Sequence, residues 1–226
     1  MKTKCIRLQF VILASLIILF GSLSSALAGK PSNKIVVACV GDSITAGYGL
    51  SDPGTQSYPA QLQAILGSNY SVGNYGLSGS TALKVSDYTY WNTRTYRSSV
   101  NSSPNIVVIM FGTNDSKSWN WNAANFDADY RALIAEYQGL RSHPTVYICL
   151  VPPVYLPNAF GTTFDPTFIQ NTVVPAIANI AAETGVTLID NNTALLNHPE
   201  LFTDGVHPTV DGANIIANNV AATIVP

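Results

Sequence analysis

Five short runs of apolar residues, each bounded by turn-forming residues, divide most of the chain after residue 30. They lie at residues 35–40, 70–74, 106–111, 145–151 and 186–189. Most of these runs are continuous rather than alternating, which is typical of strands that are buried on both faces of a parallel sheet. Stretches with the helical spacing of apolar residues lie between them. Strands that alternate with helices predict an α/β fold of three layers, in which helices cover both faces of the sheet.

The helical stretches carry recognisable start and stop signals. One helix is predicted over residues 58–66. A second follows the third apolar run, where Asn125 is the expected N-cap and an apolar stripe continues through Phe126, Tyr130, Leu133, Ile134 and Tyr137.

Proline residues mark the two later helices. Asp165 and Pro166 predict an N-cap followed by a first helical position, and Pro175 predicts a kink or break further along. The last helix is expected to begin near Thr209 and to turn Ala213, Ile216 and Val220 inward.

The first 28 residues have the pattern of a secretory signal peptide. Basic residues precede an apolar run at residues 10–20, and Ala26-Leu27-Ala28 gives the small-x-small cleavage signal. The apolar run is short for a membrane span, so we expect cleavage near Ala28 and secretion rather than stable membrane insertion. Residues 29–226 are then expected to form one domain.

Composition narrows the choice of partner. Cleavage would remove three basic residues and no acidic one, which leaves eight basic residues, thirteen acidic residues and a net charge of −5. A chain without a basic surplus is not expected to bind nucleic acid or an anionic membrane surface. We therefore expect a partner that is neutral or uncharged.

A serine follows the first strand, in the sequence Gly41-Asp42-Ser43. A serine at a strand-to-helix turn exposes its hydroxyl at the sheet edge, close to a helix N-terminus that favours developing negative charge. The same residues are also typical of an ordinary helix N-cap, and by themselves they favour that interpretation.

Turn residues follow the next two strands. Gly76 and Gly79 follow the second strand, and Asn114 follows the third. Glycine backbone N–H groups and an asparagine side-chain amide can each donate a hydrogen bond to an oxyanion. Taken singly, each is equally typical of a loop.

A histidine near the C-terminus completes the set. Asp204 lies three residues before His207, so its carboxylate can bond Nδ1–H of the ring and leave Nε2 free to accept a proton. The alternative is a surface histidine in a capped turn.

The joint occurrence of these four segments, in this order, closely resembles the SGNH hydrolases, also called GDSL esterases/lipases. The four name-giving residues of that family correspond here to Ser43, Gly79, Asn114 and His207. The one departure is Ile44, where the family motif has leucine. The resemblance runs from Val40 to Val220.

The resemblance implies a flavodoxin-like sheet of five parallel strands in the order 2-1-3-4-5. It implies Ser43, Asp204 and His207 as the catalytic triad, and the backbone of Ser43 and Gly79 with the side chain of Asn114 as the oxyanion hole. It also implies that no metal and no organic cofactor is needed. In this topology a strand separates Cys39 from Cys149, so both are expected to be buried free thiols.

Substrate evidence comes from aromatic residues in the loops. Trp119 and Trp121 follow the third strand and Tyr155 follows the fourth, where they suit sugar faces or simply pack the loops. We expect a short-chain esterase acting on acetylated carbohydrates. A lysophospholipase or thioesterase for longer acyl chains is the alternative enzyme, and a non-catalytic carbohydrate-binding module is the alternative from another class.

Overall fold

A computed structural model of the chain describes residues 34–225. The predicted signal peptide at residues 1–28 lies outside these residues. The centre of the fold is a parallel sheet in the order β2-β1-β3-β4-β5, as expected. The strands are β1 Ile35–Gly41, β2 Tyr70–Gly76, β3 Ile106–Met110, β4 Thr145–Cys149 and β5 Thr187–Ile189.

Helices flank this sheet, which confirms the predicted α/β class. Helix α3 packs against α8 and helix α5 packs against α7. The helices are α1 Ser43–Ala46, α2 Pro53–Gln56, α3 Tyr58–Leu66, α4 Arg94–Asn101, α5 Ala123–Gln138, α6 Pro166–Phe168, α7 Val174–Thr184 and α8 Val210–Ile224. No helix within residues 34–225 combines the length and the apolar composition that a membrane span needs.

The two cysteines lie within the sheet core. Cys39 of β1 pairs in register with Val108 of β3, and Val108 pairs with Tyr147 of β4. Cys39 and Cys149 are therefore separated by a strand, and both are buried and free, as predicted. Burial raises the pKa of the Cys39 thiol to about 12, because the thiolate would lose its hydration.

Two helix starts test the sequence-based predictions. Asp165 caps α6, and its side chain accepts the N–H groups of Thr167 and Phe168, as predicted. The prediction that Asn125 caps α5 is wrong. The cap is Asn122, whose side chain accepts the N–H of Asn125, so the helix begins three residues earlier than the apolar stripe indicated.

Pro175 disturbs its helix as expected. A π-helical turn at Ile169–Val173 lies between α6 and α7 and ends two residues before the proline. Proline lacks an N–H group and its ring crowds the preceding turn, so the regular i→i−4 ladder is interrupted there. The last helix has Thr209 as its cap, and Ala213, Ile216 and Val220 are buried, as predicted.

The parallel strands deliver several loops to one edge of the sheet. Gly41, the last residue of β1, pairs with Gly76 of β2 and with Met110 of β3. Ligands in open parallel sheets bind outside the carboxyl ends of the strands. The segments that begin at Asp42, Leu77 and Phe111 therefore leave the sheet side by side.

Candidate active site

A tight turn between β1 and α1 places Ser43 at this edge. A side chain at Gly41 would put its Cβ 2.1 Å from Thr45 Oγ1 and 2.6 Å from the Met110 carbonyl oxygen, so the turn needs glycine. Asp42 caps the helix, and its Oδ1 accepts the N–H of Ile44 at 2.9 Å. Ser43 is 7% exposed and faces a cavity of about 440 Å³.

His207 lies within hydrogen-bonding distance of both Ser43 and Asp204. Its Nε2 is 2.9 Å from Ser43 Oγ, and its Nδ1 is 2.7 Å from Asp204 Oδ2. The other carboxylate oxygen, Asp204 Oδ1, accepts the backbone N–H groups of Val206 at 3.0 Å and of His207 at 2.8 Å. The loop thus holds the Asp204 carboxylate at Nδ1 of the imidazole ring.

The charge of Asp204 determines the tautomer of His207. Partial burial alone would raise the pKa of Asp204, but the hydrogen bonds from the His207 ring and from two backbone amides outweigh it. The pKa therefore lies below its ordinary value, and the carboxylate is anionic at neutral pH. An anionic acceptor at Nδ1 keeps the ring proton there, so the Nε2 lone pair faces the serine hydroxyl.

Aromatic rings contact the imidazole. The ring centroid of Tyr48 lies 4.6 Å from that of His207, and the centroid of Phe160 lies 5.6 Å away in an edge-on arrangement. Tyr48 follows Gly47, which has a left-handed backbone with φ +84° and ends α1. These contacts restrict rotation of the histidine ring.

Three possible oxyanion donors line the same cavity as Ser43 and His207. The N–H of Ser43 is the first of α1, so it has no acceptor within the helix. Gly79 takes the left-handed conformation, with φ +84°. Asn114, which is 4% exposed, directs its side-chain Nδ2 to Asp42 Oδ2 at 3.3 Å, and the second N–H of an amide remains for another acceptor.

Two buried carboxyl groups lie behind these donors. Burial raises the pKa of Asp42 to about 6, although the Ile44 N–H, His207 and Asn114 oppose the rise. Burial also raises the pKa of Asp115 to about 7, and the neighbouring Asp42 adds to it. Asp115 Oδ1 accepts the N–H of Leu83 at 3.1 Å, whereas its buried Oδ2 has no partner within the described residues.

The model of the GDSL-like Lipase/Acylhydrolase family matches residues 39–215 of the chain. The chain belongs to this family. The resemblance found in the sequence is thereby confirmed, and the matched range includes the segments of Ser43, Gly79, Asn114 and His207.

One relative of this GDSL-family chain is an acetylxylan esterase from Xylanibacter ruminicola. The two are 30% identical over 223 residues, which is 90% of this chain and 46% of the relative, so the chain spans about half of that protein's length. The family is one of lipases and acylhydrolases.

Solved structures share the fold. A candidate arylesterase from Agrobacterium tumefaciens is 25% identical, with a TM-score of 0.68 over 84% of this chain and 97% of that one. A carbohydrate acetylesterase from Sinorhizobium meliloti is 22% identical, with a TM-score of 0.71 over 84% of this chain and 98% of that one.

The rim of the cavity in this GDSL-family chain is organised around Asp87. Its Oδ2 accepts Lys117 Nζ at 3.0 Å and Trp119 Nε1 at 3.0 Å, and its Oδ1 accepts Asn120 Nδ2 at 2.7 Å. Asn120 Nδ2 also donates to the Asn114 carbonyl oxygen at 3.0 Å. One carboxylate therefore joins the loop after β2 to the loop after β3, and it reaches the backbone of Asn114 through Asn120. Nothing in the sequence near Asp87 indicated this role.

The three aromatic residues expected to bind substrate lie in different places. Trp119 lines the cavity of Ser43 and is 61% exposed. Trp121 instead packs against Phe126 and Phe168, with centroids 4.9 and 5.4 Å away. Tyr155 packs against Phe202, and its hydroxyl donates to the Leu195 carbonyl oxygen at 2.7 Å. Neither Trp121 nor Tyr155 is among the residues that line the Ser43 cavity.

The acidic residues and histidines of residues 34–225 form no metal-binding cluster. Within that part of the chain, no group of three or more His, Cys, Asp or Glu side chains converges as a metal site would require.

Proposed function

We propose that the chain is a serine ester hydrolase in which Ser43 is the nucleophile and His207, oriented by Asp204, is its base. The observation that carries the proposal is the continuous line from Asp204 Oδ2 through the imidazole to Ser43 Oγ, with separations of 2.7 and 2.9 Å. A partly buried carboxylate, a histidine and a serine in this order form a proton-transfer unit for acyl transfer.

The proposed reaction proceeds through an acyl-serine. Ser43 Oγ attacks the ester carbonyl carbon while its proton moves to His207 Nε2. The tetrahedral intermediate collapses, the bond to the alcohol breaks, and His207 gives its proton to the leaving alcohol. Water then attacks the acyl-serine, again passing a proton to His207, and the carboxylic acid leaves with Ser43 restored.

The developing oxyanion needs donors that are already in place. In the proposal these are the N–H groups of Ser43 and Gly79 and the second side-chain N–H of Asn114. Donors fixed before the reaction stabilise the transition state without a reorganisation cost. The hydrogen bond from Asn114 to Asp42 supports such fixed orientation.

For the substrate we propose acetyl esters of neutral carbohydrates. The name of the acetylxylan esterase relative supports this class. The cavity has an exposed indole at Trp119, a tyrosine at Tyr48 and the hydroxyl of Thr163, a combination that suits a sugar ring and its hydroxyl groups. We also propose secretion after cleavage near Ala28, which would bring the enzyme to such substrates.

A rate series on p-nitrophenyl esters from acetate to palmitate, with an acetylated oligosaccharide alongside, tests the proposal. We expect the highest kcat/KM at acetate and release of acetate from the oligosaccharide. Ser43→Ala should release neither product above background. An optimum at eight carbons or more would instead favour the lysophospholipase or thioesterase interpretation.

A further inference from the structure

A second cavity, of about 370 Å³, lies beside the proposed catalytic cavity. Four hydroxyl-bearing residues, one carboxylate and two aromatic rings line it, and these are Ser116, Ser118, Trp121, Thr162, Thr163, Asp165 and Phe168. A cavity of this composition suits a neutral ligand that both donates and accepts hydrogen bonds.

The two cavities share their walls. Thr163 lines both of them. In the loop after β3, Lys117 and Trp119 line the catalytic cavity while Ser118 and Trp121 line the second one. Residues of the segment 160–165 are likewise distributed between the linings of the two cavities. The two cavities are therefore adjacent, with Thr163 in their common wall.

The indole of Trp121 is held in a fixed orientation. Phe126 lies against it with a centroid distance of 4.9 Å, and Phe168 contacts it at 5.4 Å with an interplanar angle of 88°. Trp121 is nevertheless only partly buried. A rigid, accessible indole offers apolar area to the face of a sugar ring at a small entropic cost.

The hydrogen-bonding groups around Trp121 are still available in part. Asp165 uses Oδ1 to cap α6, where it accepts Thr167 N–H at 2.8 Å and Phe168 N–H at 3.2 Å. Its Oδ2 takes no part in this cap. Ser118 and Thr162 are exposed. An acceptor and two hydroxyls therefore line the same cavity as the indole, as a polyhydroxylated ring requires.

We propose that this second cavity is a carbohydrate subsite, which binds the sugar unit next to the unit whose acetyl ester lies at Ser43. The inference rests on the proposed function and extends it. The preferred substrate is then an acetylated oligosaccharide or polysaccharide, and a lone acetylated monosaccharide fills only the catalytic cavity.

Blocking the second cavity without removing any of its packing gives the sharpest test. Thr162→Trp adds bulk at an exposed position of the cavity, and Thr145→Trp, at the exposed start of β4 on the opposite edge of the sheet, is the matched control. Three substrates are compared: acetylated xylotetraose, peracetylated xylose and p-nitrophenyl acetate. Trp121→Ala serves as a second variant, with its folding checked by circular dichroism.

We expect Thr162→Trp to lower kcat/KM on acetylated xylotetraose by about tenfold, which corresponds to the loss of one sugar–indole contact. The two smaller substrates should change by less than about twofold, and Thr145→Trp should match the wild type on all three. Equal loss on all three substrates, or no loss on the tetraose, would overturn the subsite.

Failure of the proposed function has a different signature. In that case the wild type would hydrolyse p-nitrophenyl acetate but release no acetate from either sugar. This result would contradict both the proposed substrate and the subsite. Wild-type activity on both sugars at equal efficiency would leave the esterase in place and overturn the subsite alone.

A direct binding measurement separates recognition from catalysis. In the Ser43→Ala background, unacetylated xylotetraose should bind more tightly than xylose by calorimetric titration, and Thr162→Trp should remove the difference. Equal affinities for the two sugars would contradict the proposal.

Discussion

The side-chain amide of Asn114 donates a hydrogen bond to the Asp42 carboxylate across 3.3 Å. The residue that caps α1 thus also orients the proposed oxyanion donor. Since Ser43 directly follows Asp42, the proposed nucleophile and Asn114 are fixed relative to each other. This contact joins the segments that leave two neighbouring strands of the sheet, because Asp42 follows β1 and Asn114 follows β3.

Replacement of Asn114 tests the oxyanion donor. Asn114→Ala should lower kcat by about 10²–10³, because one preorganised donor to the transition state is lost. KM should change little, and steady-state kinetics on p-nitrophenyl acetate measure both. Reaction of Ser43 with a fluorophosphonate should persist, because the nucleophile and its base remain. Wild-type kcat in Asn114→Ala would contradict the proposed role.

The proposed triad predicts an order of losses. Ser43→Ala and His207→Ala should each lower kcat by about 10⁶, because either change removes the whole proton-transfer unit. Asp204→Ala should cost less, about 10⁴, since the histidine can still accept a proton but with its tautomer and orientation less well defined. Single-turnover rates on p-nitrophenyl acetate give the comparison. A larger loss for Asp204→Ala than for His207→Ala would reverse the assigned roles.

Asp87 gives a prediction about the rim. Asp87→Ala removes the acceptor of Lys117, Trp119 and Asn120, so the exposed indole should lose its fixed orientation. We expect KM for an acetylated sugar to rise by about threefold to tenfold, on the order of 1 kcal/mol, with a smaller change for p-nitrophenyl acetate. Asp127→Ala, on the surface of α5, is the control. An unchanged KM for the sugar would exclude the rim from substrate binding.

Asp115 predicts how stability depends on pH. Burial raises its pKa to about 7 in the folded state, above the ordinary value for aspartate, so the folded protein binds this proton more tightly than the unfolded chain does. The protonated Asp115 side chain therefore contributes to the free energy of unfolding. This contribution is fully present below about pH 4 and is lost as the pH rises through about 7.

Asp115→Asn keeps an acceptor for the Leu83 N–H and removes the ionisation. The variant should therefore gain stability relative to the wild type as the pH rises from 4 to 8, by an amount on the order of 3 kcal/mol. Urea unfolding of both proteins at each pH gives the difference between their free energies of unfolding. The contributions of titratable groups that both proteins share cancel in this difference. A difference that stays constant from pH 4 to pH 8 would contradict the assignment.

Much of the fold follows from local patterns in the sequence. Continuous apolar runs predicted all five strands to within two residues at their ends, and the burial of β1 and β3 on both faces explains why those runs do not alternate. Helix α4 at Arg94–Asn101 was not predicted. Its sequence is polar, and it is held by the Thr93 cap and by the Ser99 contact with Tyr137.

The site was less fully predictable. The motifs indicated Ser43 and His207, but the Asp87 contacts join residues thirty or more positions apart and depend on how two loops pack. The contact between the Tyr48 ring and the His207 ring also depends on how distant segments of the chain pack. Trp119 and Trp121 look equivalent in sequence, yet the residues of this loop alternate between two cavities.

Covalent labelling of Ser43 tests the central claim most directly. The protein is incubated with a fluorophosphonate, and its intact mass and peptide map are recorded beside the residual esterase activity. We expect one adduct per chain, located on Ser43, with activity lost in proportion to labelling and with much slower labelling in His207→Ala. An adduct at another residue, or full esterase activity in a protein whose Ser43 is completely labelled, would contradict the account.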